Sequence, residues 1–222
     1  MNSPEFIYLA SQSPRRSQLL EQLGVRHELL LPDASEDTEA LEAVLPNEAP
    51  KTYVQRVTAL KLTAALARLQ QRACPQAPVL CADTTVALGR TIFGKPENPE
   101  DARRMLHTLS NHEHRVITAV ALGYQGHQWS ACSVSRVRFS TMDDAAINAY
   151  VSSGEPMGKA GAYAVQGRAA AYIAHISGSY SGIMGLPLFE TAQLLRVLGF
   201  CVKRAASACG TSGVSYLIRS IS

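Results

Sequence analysis

Apolar and polar residues alternate along this chain with two different periods, and each change of period marks an element. Phe6 to Ala10 is a short apolar run of strand length. Ser13 then offers an N-cap, Pro14 suits the first helical position, and Leu19, Leu20 and Leu23 share one face before Gly24 ends the pattern, which predicts a helix. From Leu31 to Pro50 no period survives: the stretch is acidic, is broken by Pro32, Pro46 and Pro50, and reads as a loop. Tyr53, Val54, Val57, Leu60, Ala64 and Ala65 return at helical spacing and predict a long helix, with Arg56 and Lys61 near the edges of its buried stripe. Pro78 to Ala82 is a continuous apolar run, read as a buried strand ending at Asp83, and Thr84 to Phe93 then reads as a hairpin turning at Gly89-Arg90.

The second half is patterned in the same way. Asn98-Pro99-Glu100-Asp101 carries the capping chemistry of a helix running to about Leu109. His114 to Tyr124 and Gln128 to Phe139 read as two long strands joined at Gln125-Gly126, and Thr141, Asp143 and Asp144 start a helix ending near Gly154. Lys159 to Gly167 is rich in small residues and reads as a loop that lets backbone approach something closely. A strand from Ala170 to Ile176 and an amphipathic helix from Pro187, closed by Gly199, complete the pattern. Strands and helices mix without a repeating βαβ period, which predicts an α/β fold with a long mixed sheet and not a doubly wound one.

Composition narrows the function classes. With 222 residues, 46% hydrophobic and 18% charged, the chain can bury a sizeable core as one domain, or as two small lobes around one cleft. No apolar run approaches the roughly 20 residues of a membrane span. The opening MNSPEFIYLA has no basic segment followed by a long apolar one, so a cytoplasmic address is expected. Cys74, Cys81, Cys132, Cys201 and Cys209 are scattered and form no CxxC pair, which indicates neither a disulfide framework nor a zinc site. A net charge of +3 lacks the dense basic face that nucleic acid demands.

Several constellations carry candidate chemistry. In Ser11-Gln12-Ser13-Pro14-Arg15-Arg16, two arginines stand in a helix's first turn, where the helix dipole disfavours cations by a few tenths of a kcal/mol to about one. With the free N–H groups and the hydroxyls of Ser11 and Ser13 they would form a phosphate site; the plainer account is that both are solvated or pair with the acidic loop. Asp83, at the predicted end of a buried strand, can hold Mg²⁺ or Mn²⁺ and orient a water, or it can simply cap the strand exit through an Asx-turn. Lys95 in Gly94-Lys95-Pro96 can neutralise a phosphate. Gly89 to Lys95 fits most of the P-loop pattern, but Pro96 stands where a Ser or Thr must bind Mg²⁺. His112 and His114 read as an exposed turn and not as a metal pair, and Ser177 to Gly182 has no serine in the register of a nucleophile elbow.

Taken in order, LASQSPRRSQLL, the acidic Asp33 to Glu36 segment, YVQRVTALK, VLCADTTV, GKP, HRVITAV, KAGAYAVQG and GLPLFET resemble the Maf family of nucleotide pyrophosphatases, over roughly residues 6 to 200. The resemblance implies a two-lobed α/β mixed-sheet fold with a central cleft, similar to inosine triphosphatases. It also implies a divalent metal, Mg²⁺ or Mn²⁺, and a homodimer. It aligns the family's proton acceptor with Asp83, phosphate contacts with Ser13, Arg15 and Arg16, the metal with Asp83 and Glu36, and charge neutralisation with Lys61 and Lys95. Specificity positions align with Arg15, Thr84 and Gln166. The branch acting on dTTP and UTP carries SPRR, ADT and QG, as here, whereas the branch preferring 7-methyl-GTP has an aromatic residue, Gln and Glu at these places. A Gln amide offers a donor and an acceptor together, which suits the edge of uracil or thymine.

The expectation is therefore one domain over residues 1–204 that cleaves a nucleoside triphosphate to the monophosphate and pyrophosphate, followed by a tail at 205–222 with no recognisable counterpart. Two rivals use the same residues differently. A nucleotide-binding regulator of septum formation would have the pocket with negligible hydrolysis, and an RNA-binding module would need more aromatics than the chain clusters anywhere.

Overall fold

The computed structural model describes residues 4–33, 36 and 40–200. The chain starts with β1 (Ile7–Leu9), wholly buried, and α1 (Pro14–Gln22), which buries Leu19 and Leu20. β2 (His27–Leu29) follows and pairs in parallel with β1, in the register Ile7 to His27. Its three residues carry no apolar alternation, so only the neighbouring strand defines it. The long helix α2 (Pro50–Gln71) leads into β3 (Val79–Leu88) and the hairpin strand β4 (Thr91–Phe93). Then come α3 (Pro99–Leu109), β5 (Glu113–Tyr124), β6 (His127–Phe139), α4 (Asp144–Ser152), β7 (Ile173–Ser177), α5 (Tyr180–Met184) and α6 (Leu188–Val197). Among the described residues the sheet has seven strands, in the order β2-β1-β3-β5-β6-β7 with β4 paired to β3. β1 runs parallel to β2 and β3, and the remaining pairs are antiparallel, which makes the mixed α/β sheet that the sequence pattern predicts.

Local chemistry explains most boundaries. Asn98 accepts a hydrogen bond from Asp101 N at 2.9 Å and Asp143 accepts one from Ala146 N at 2.8 Å, each satisfying an orphan donor at a helix start. Gly24 and Gly199 close α1 and α6 at positive φ.

β3 and β5 organise everything else because both are long enough to serve two cores. Leu80 and Ala82 of β3, with Val120 and Leu122 of β5, pack with Leu19 and Leu20 of α1 and Leu194 and Leu195 of α6. Further along the same strands, Val86 and Val116 belong to a second cluster with Met105, Leu106 and Leu109 of α3 and Ile147 and Tyr150 of α4. On the opposite face of the sheet, α2 packs Val54 and Val57 against Ile117 and Ala119, and Leu62, Ala65 and Leu69 against Val79, Cys81 and Ala121. The middle of β3, at residues 83 to 85, therefore lies between cores and carries polar side chains.

Four expectations change. β3 does not stop at Asp83: the residue pairs with Ala119 in mid-strand, so the strand-exit Asx-turn is ruled out. Leu60 faces outward at 39% exposure, and the buried face of α2 is instead extended by Thr58, Leu62, Arg68 and Leu69. The 3-10 turn Arg168–Tyr172 occupies the place where β7 was expected to begin. His114 is buried at 1% exposure, because it lies two residues into β5 and points into the core, while His112 remains exposed in the turn. Among the described residues no helix is long and apolar enough to cross a membrane. The expected tail at 205–222 lies outside the described residues.

Candidate active site

Strand alternation sends consecutive residues of β3 to opposite faces, and this separates two halves of one site. Asp83 points to the α2 side. Lys61, about three turns into α2, donates to Asp83 Oδ1 at 2.5 Å and to Glu42 Oε1 at 2.7 Å, so one ammonium lies between two carboxylates. Glu42 comes from a short 3-10 turn (Ala40–Glu42), and it also accepts from Lys95 Nζ at 3.2 and 3.3 Å. Burial pulls the Lys61 ammonium down, but the Asp83 and Glu42 charges outweigh it and hold its pKa above the usual lysine value. Burial likewise pushes Glu42 up, and Lys61 and Lys95 overcome that to leave it below the usual carboxylate range. Tyr53, whose hydroxyl donates to the Glu42 carbonyl at 2.9 Å, is pushed up to about 12 by burial and by the Asp83 and Glu42 charges.

Thr84 points to the other side, toward the start of α1. Arg16 donates to Gly185 O at 2.8 Å, Ser11 Oγ at 3.0 Å and Thr84 Oγ1 at 3.4 Å. Thr118 gives its hydroxyl proton to Gly182 O at 2.7 Å, so in the 2.9 Å contact between the two threonines Thr84 is the donor. The chain of hydrogen bonds thus has one direction, from Arg16 through Thr84 and Thr118 to the backbone of α5. The two arginines are not equivalent. Arg16 spends its donors holding α1 against β3 and the α5 segment, and burial lowers its pKa in spite of Asp83. Among the described residues Arg15 makes one long hydrogen bond, Nε to Met184 O at 3.4 Å. Ser13 is the N-cap of α1 by backbone conformation, yet its hydroxyl makes no capping bond.

Both halves open on one cleft of about 410 Å³, within the range of small-molecule sites. Ser13, Arg15, Arg16, Lys61, Asp83, Thr84 and Lys95 all line it, so seven of the residues singled out in the sequence meet in space. Among the described residues, six cationic side chains (Arg15, Arg16, Lys61, Arg68, Lys95 and Lys159) face two carboxylates, Glu42 and Asp83, which makes the cleft a receptor for anions. Two predicted residues are not brought into it. Gln166 is exposed in the turn that follows the lining residue Val165. Glu36 accepts from Arg68 Nε at 2.7 Å and Nη2 at 2.5 Å; these bonds, opposed by some burial, depress its pKa to about 2 and tie the acidic segment to α2.

The profile described as Maf-like protein matches residues 6–198. The chain belongs to this family. Among its curated relatives, the dTTP/UTP pyrophosphatase of Albidiferax ferrireducens is 71% identical over 198 residues, covering 89% of this chain and 99% of the relative. That of a Polaromonas species is 63% identical over 199 residues, covering 90% and 98%, and that of Ralstonia nicotianae is 62% identical over 190 residues, covering 85% and 92%.

Within this Maf-like chain, sequence reasoning missed Glu42 and Lys159. Glu42 lies in a proline-broken acidic stretch with many equivalent carboxylates, and nothing in that pattern distinguishes it. Lys159 opens the KAGAYAVQG segment; it lines the cleft and donates to the carbonyls of Glu155 and, at 3.4 Å, Met157, while burial and then Arg15 lower its pKa. Among the described residues no group of three His, Cys, Asp or Glu forms a metal cage. Mg²⁺ needs none when a phosphorylated ligand is present, since one or two carboxylates with phosphate oxygens and water complete its shell, so Asp83 in a cleft lined by cations is a fitting donor.

Proposed function

We propose that this chain is a nucleoside triphosphate pyrophosphatase acting on dTTP and UTP, releasing the nucleoside monophosphate and pyrophosphate. The observation that carries the reading is the Asp83 carboxylate held by Lys61 at 2.5 Å inside a cleft whose other walls are cationic. The names of relatives up to 71% identical along nearly the whole chain support the substrate. A divalent cation held by Asp83 and the phosphates would supply positive charge and acidify a water. Asp83 takes the proton of the attacking water, Lys61 holds that carboxylate in place, and the water attacks the α-phosphorus. Arg15, Lys95 and the Ser13 hydroxyl bind the triphosphate, and charge on the leaving pyrophosphate is stabilised by these cations. Arg16 acts chiefly by holding Thr84 and the start of α1 in position. Glu36 would join the metal only by leaving Arg68, and Gln166 would read the pyrimidine only from a turn that folds over the bound base. We also read the chain as a cytoplasmic homodimer that binds no nucleic acid; the free thiols of Cys74, Cys81 and Cys132 suit a reducing compartment.

Pyrophosphate release from dTTP, UTP, CTP and 7-methyl-GTP with Mn²⁺ tests the reading, with Asp83→Asn alongside. Turnover of dTTP and UTP, lost in Asp83→Asn while nucleotide binding persists, is the expected result. Absence of release from every nucleotide would favour the regulator, and a preference for 7-methyl-GTP would overturn the substrate.

A further inference from the structure

We propose that Glu42 is an internal competitor for the phosphate seats formed by Lys61 and Lys95, and that it sets how much negative charge a ligand must bring in order to bind. The inference rests on reading the cleft as a triphosphate site. Glu42 spans both lysines, with Oε1 at 2.7 Å from Lys61 and both oxygens within 3.3 Å of Lys95. Lys61 does not need it for neutralisation, because Asp83 Oδ1 is closer, at 2.5 Å. Glu42 is thus a second anion on cations that a phosphate would otherwise take.

The strap that carries it is held without its side chain. Tyr53 donates to the Glu42 carbonyl at 2.9 Å, and Arg56 donates to Ala43 O at 2.8 Å and to both Glu48 oxygens at 2.7 and 2.8 Å. Arg90 donates to Asn47 O at 2.9 Å. The Glu42 side chain is 28% exposed, so its carboxylate can rotate into solvent while the backbone stays in place. A ligand with several phosphate charges displaces it, because it gains more from the two lysines than one carboxylate loses in reaching water. A single phosphate brings too little, so the carboxylate returns and the monophosphate product leaves.

The test is calorimetry in EDTA with inorganic pyrophosphate and inorganic phosphate, on the wild-type chain and Glu42→Gln, which keeps the shape and the backbone bond. The Kd for pyrophosphate is expected to fall roughly two- to fivefold in Glu42→Gln, the scale of one partly exposed ion pair, and phosphate is expected to tighten with it. In a Lys95→Gln background the same substitution should gain less, since one contested seat is gone. An unchanged Kd would overturn the proposal, as would weaker binding, which would make Glu42 a contributor to ligand binding. If UTP is hydrolysed normally and only the Kd fails to move, this inference alone falls. If pyrophosphate binds to neither protein and no nucleotide is hydrolysed, the reading of the cleft falls with it.

Discussion

Acidification should destabilise this protein through His114, by an amount that follows from its surroundings. The imidazole is 1% exposed, packs edge-on against Phe139 and Tyr163 at centroid distances of 5.1 and 5.4 Å, and shares a 2.8 Å hydrogen bond between Nε2 and the Tyr163 hydroxyl. Burial, offset in part by the backbone of His112, lowers its pKa to about 4 from the ordinary 6.5. Between these values the unfolded chain binds a proton that the folded chain refuses, so stability is complete above about 6.5 and is lost as the pH falls toward about 4. Integrating that difference gives a loss of about 2 kcal/mol between about pH 7.5 and pH 5, and about 3 kcal/mol by about pH 4. Urea denaturation across this range, on the wild-type chain and on His114→Gln, measures it. The variant is expected to be less stable near neutrality and to have a flatter pH dependence, so the two curves converge as the pH falls. Parallel curves would refute the argument, because they would place the acid sensitivity in other groups. The same contact bears on the site, since Tyr163 lines the cleft.

Two further substitutions probe the site's framework. Lys61→Gln leaves Asp83 and Glu42 facing each other without their shared cation; it is expected to cost about 2 kcal/mol in thermal or urea unfolding and to abolish pyrophosphate release, with Lys61→Arg recovering more of the stability than of the activity. Gly167→Ala would put a Cβ 2.0 Å from Glu155 Oε1, an oxygen already bonded to Tyr150 Oη at 2.9 Å and Arg168 N at 3.0 Å. That overpacking is expected to cost about 1–3 kcal/mol and, because Gln166 is the adjacent residue, to raise KM for UTP more than it lowers kcat.

The legible part of this protein is the part encoded by neighbours in sequence. α3 was readable because Asn98, Pro99 and Asp101 write their capping bond within four residues, and the long β5–β6 hairpin because its turn and apolar runs are contiguous. β2 was not readable: His27, Glu28 and Leu29 become a strand only because β1 offers them a parallel edge. His114 departs from the expected exposed turn for a related reason, since its polarity suggests a turn and only the ladder with β6 turns it inward.

The site divides along the same line. The sequence alone determined which chemistry is present: a Ser-Pro-Arg-Arg helix start, an Asp in an apolar run, and lysines at fixed places in ordered motifs. Those assignments require no coordinates, because charge and hydrogen-bonding capacity belong to the residue type. What the tertiary structure decided is which of these groups share a charge. Lys61 and Asp83 are 22 positions apart and Glu42 a further 19 from Lys61, and they meet because α2 lies across β3 at the point where two cores leave its middle polar. Side-chain distance is set by packing, so it was this crossing, and not any local pattern, that brought Glu42 to the two lysines and turned Glu36 to Arg68.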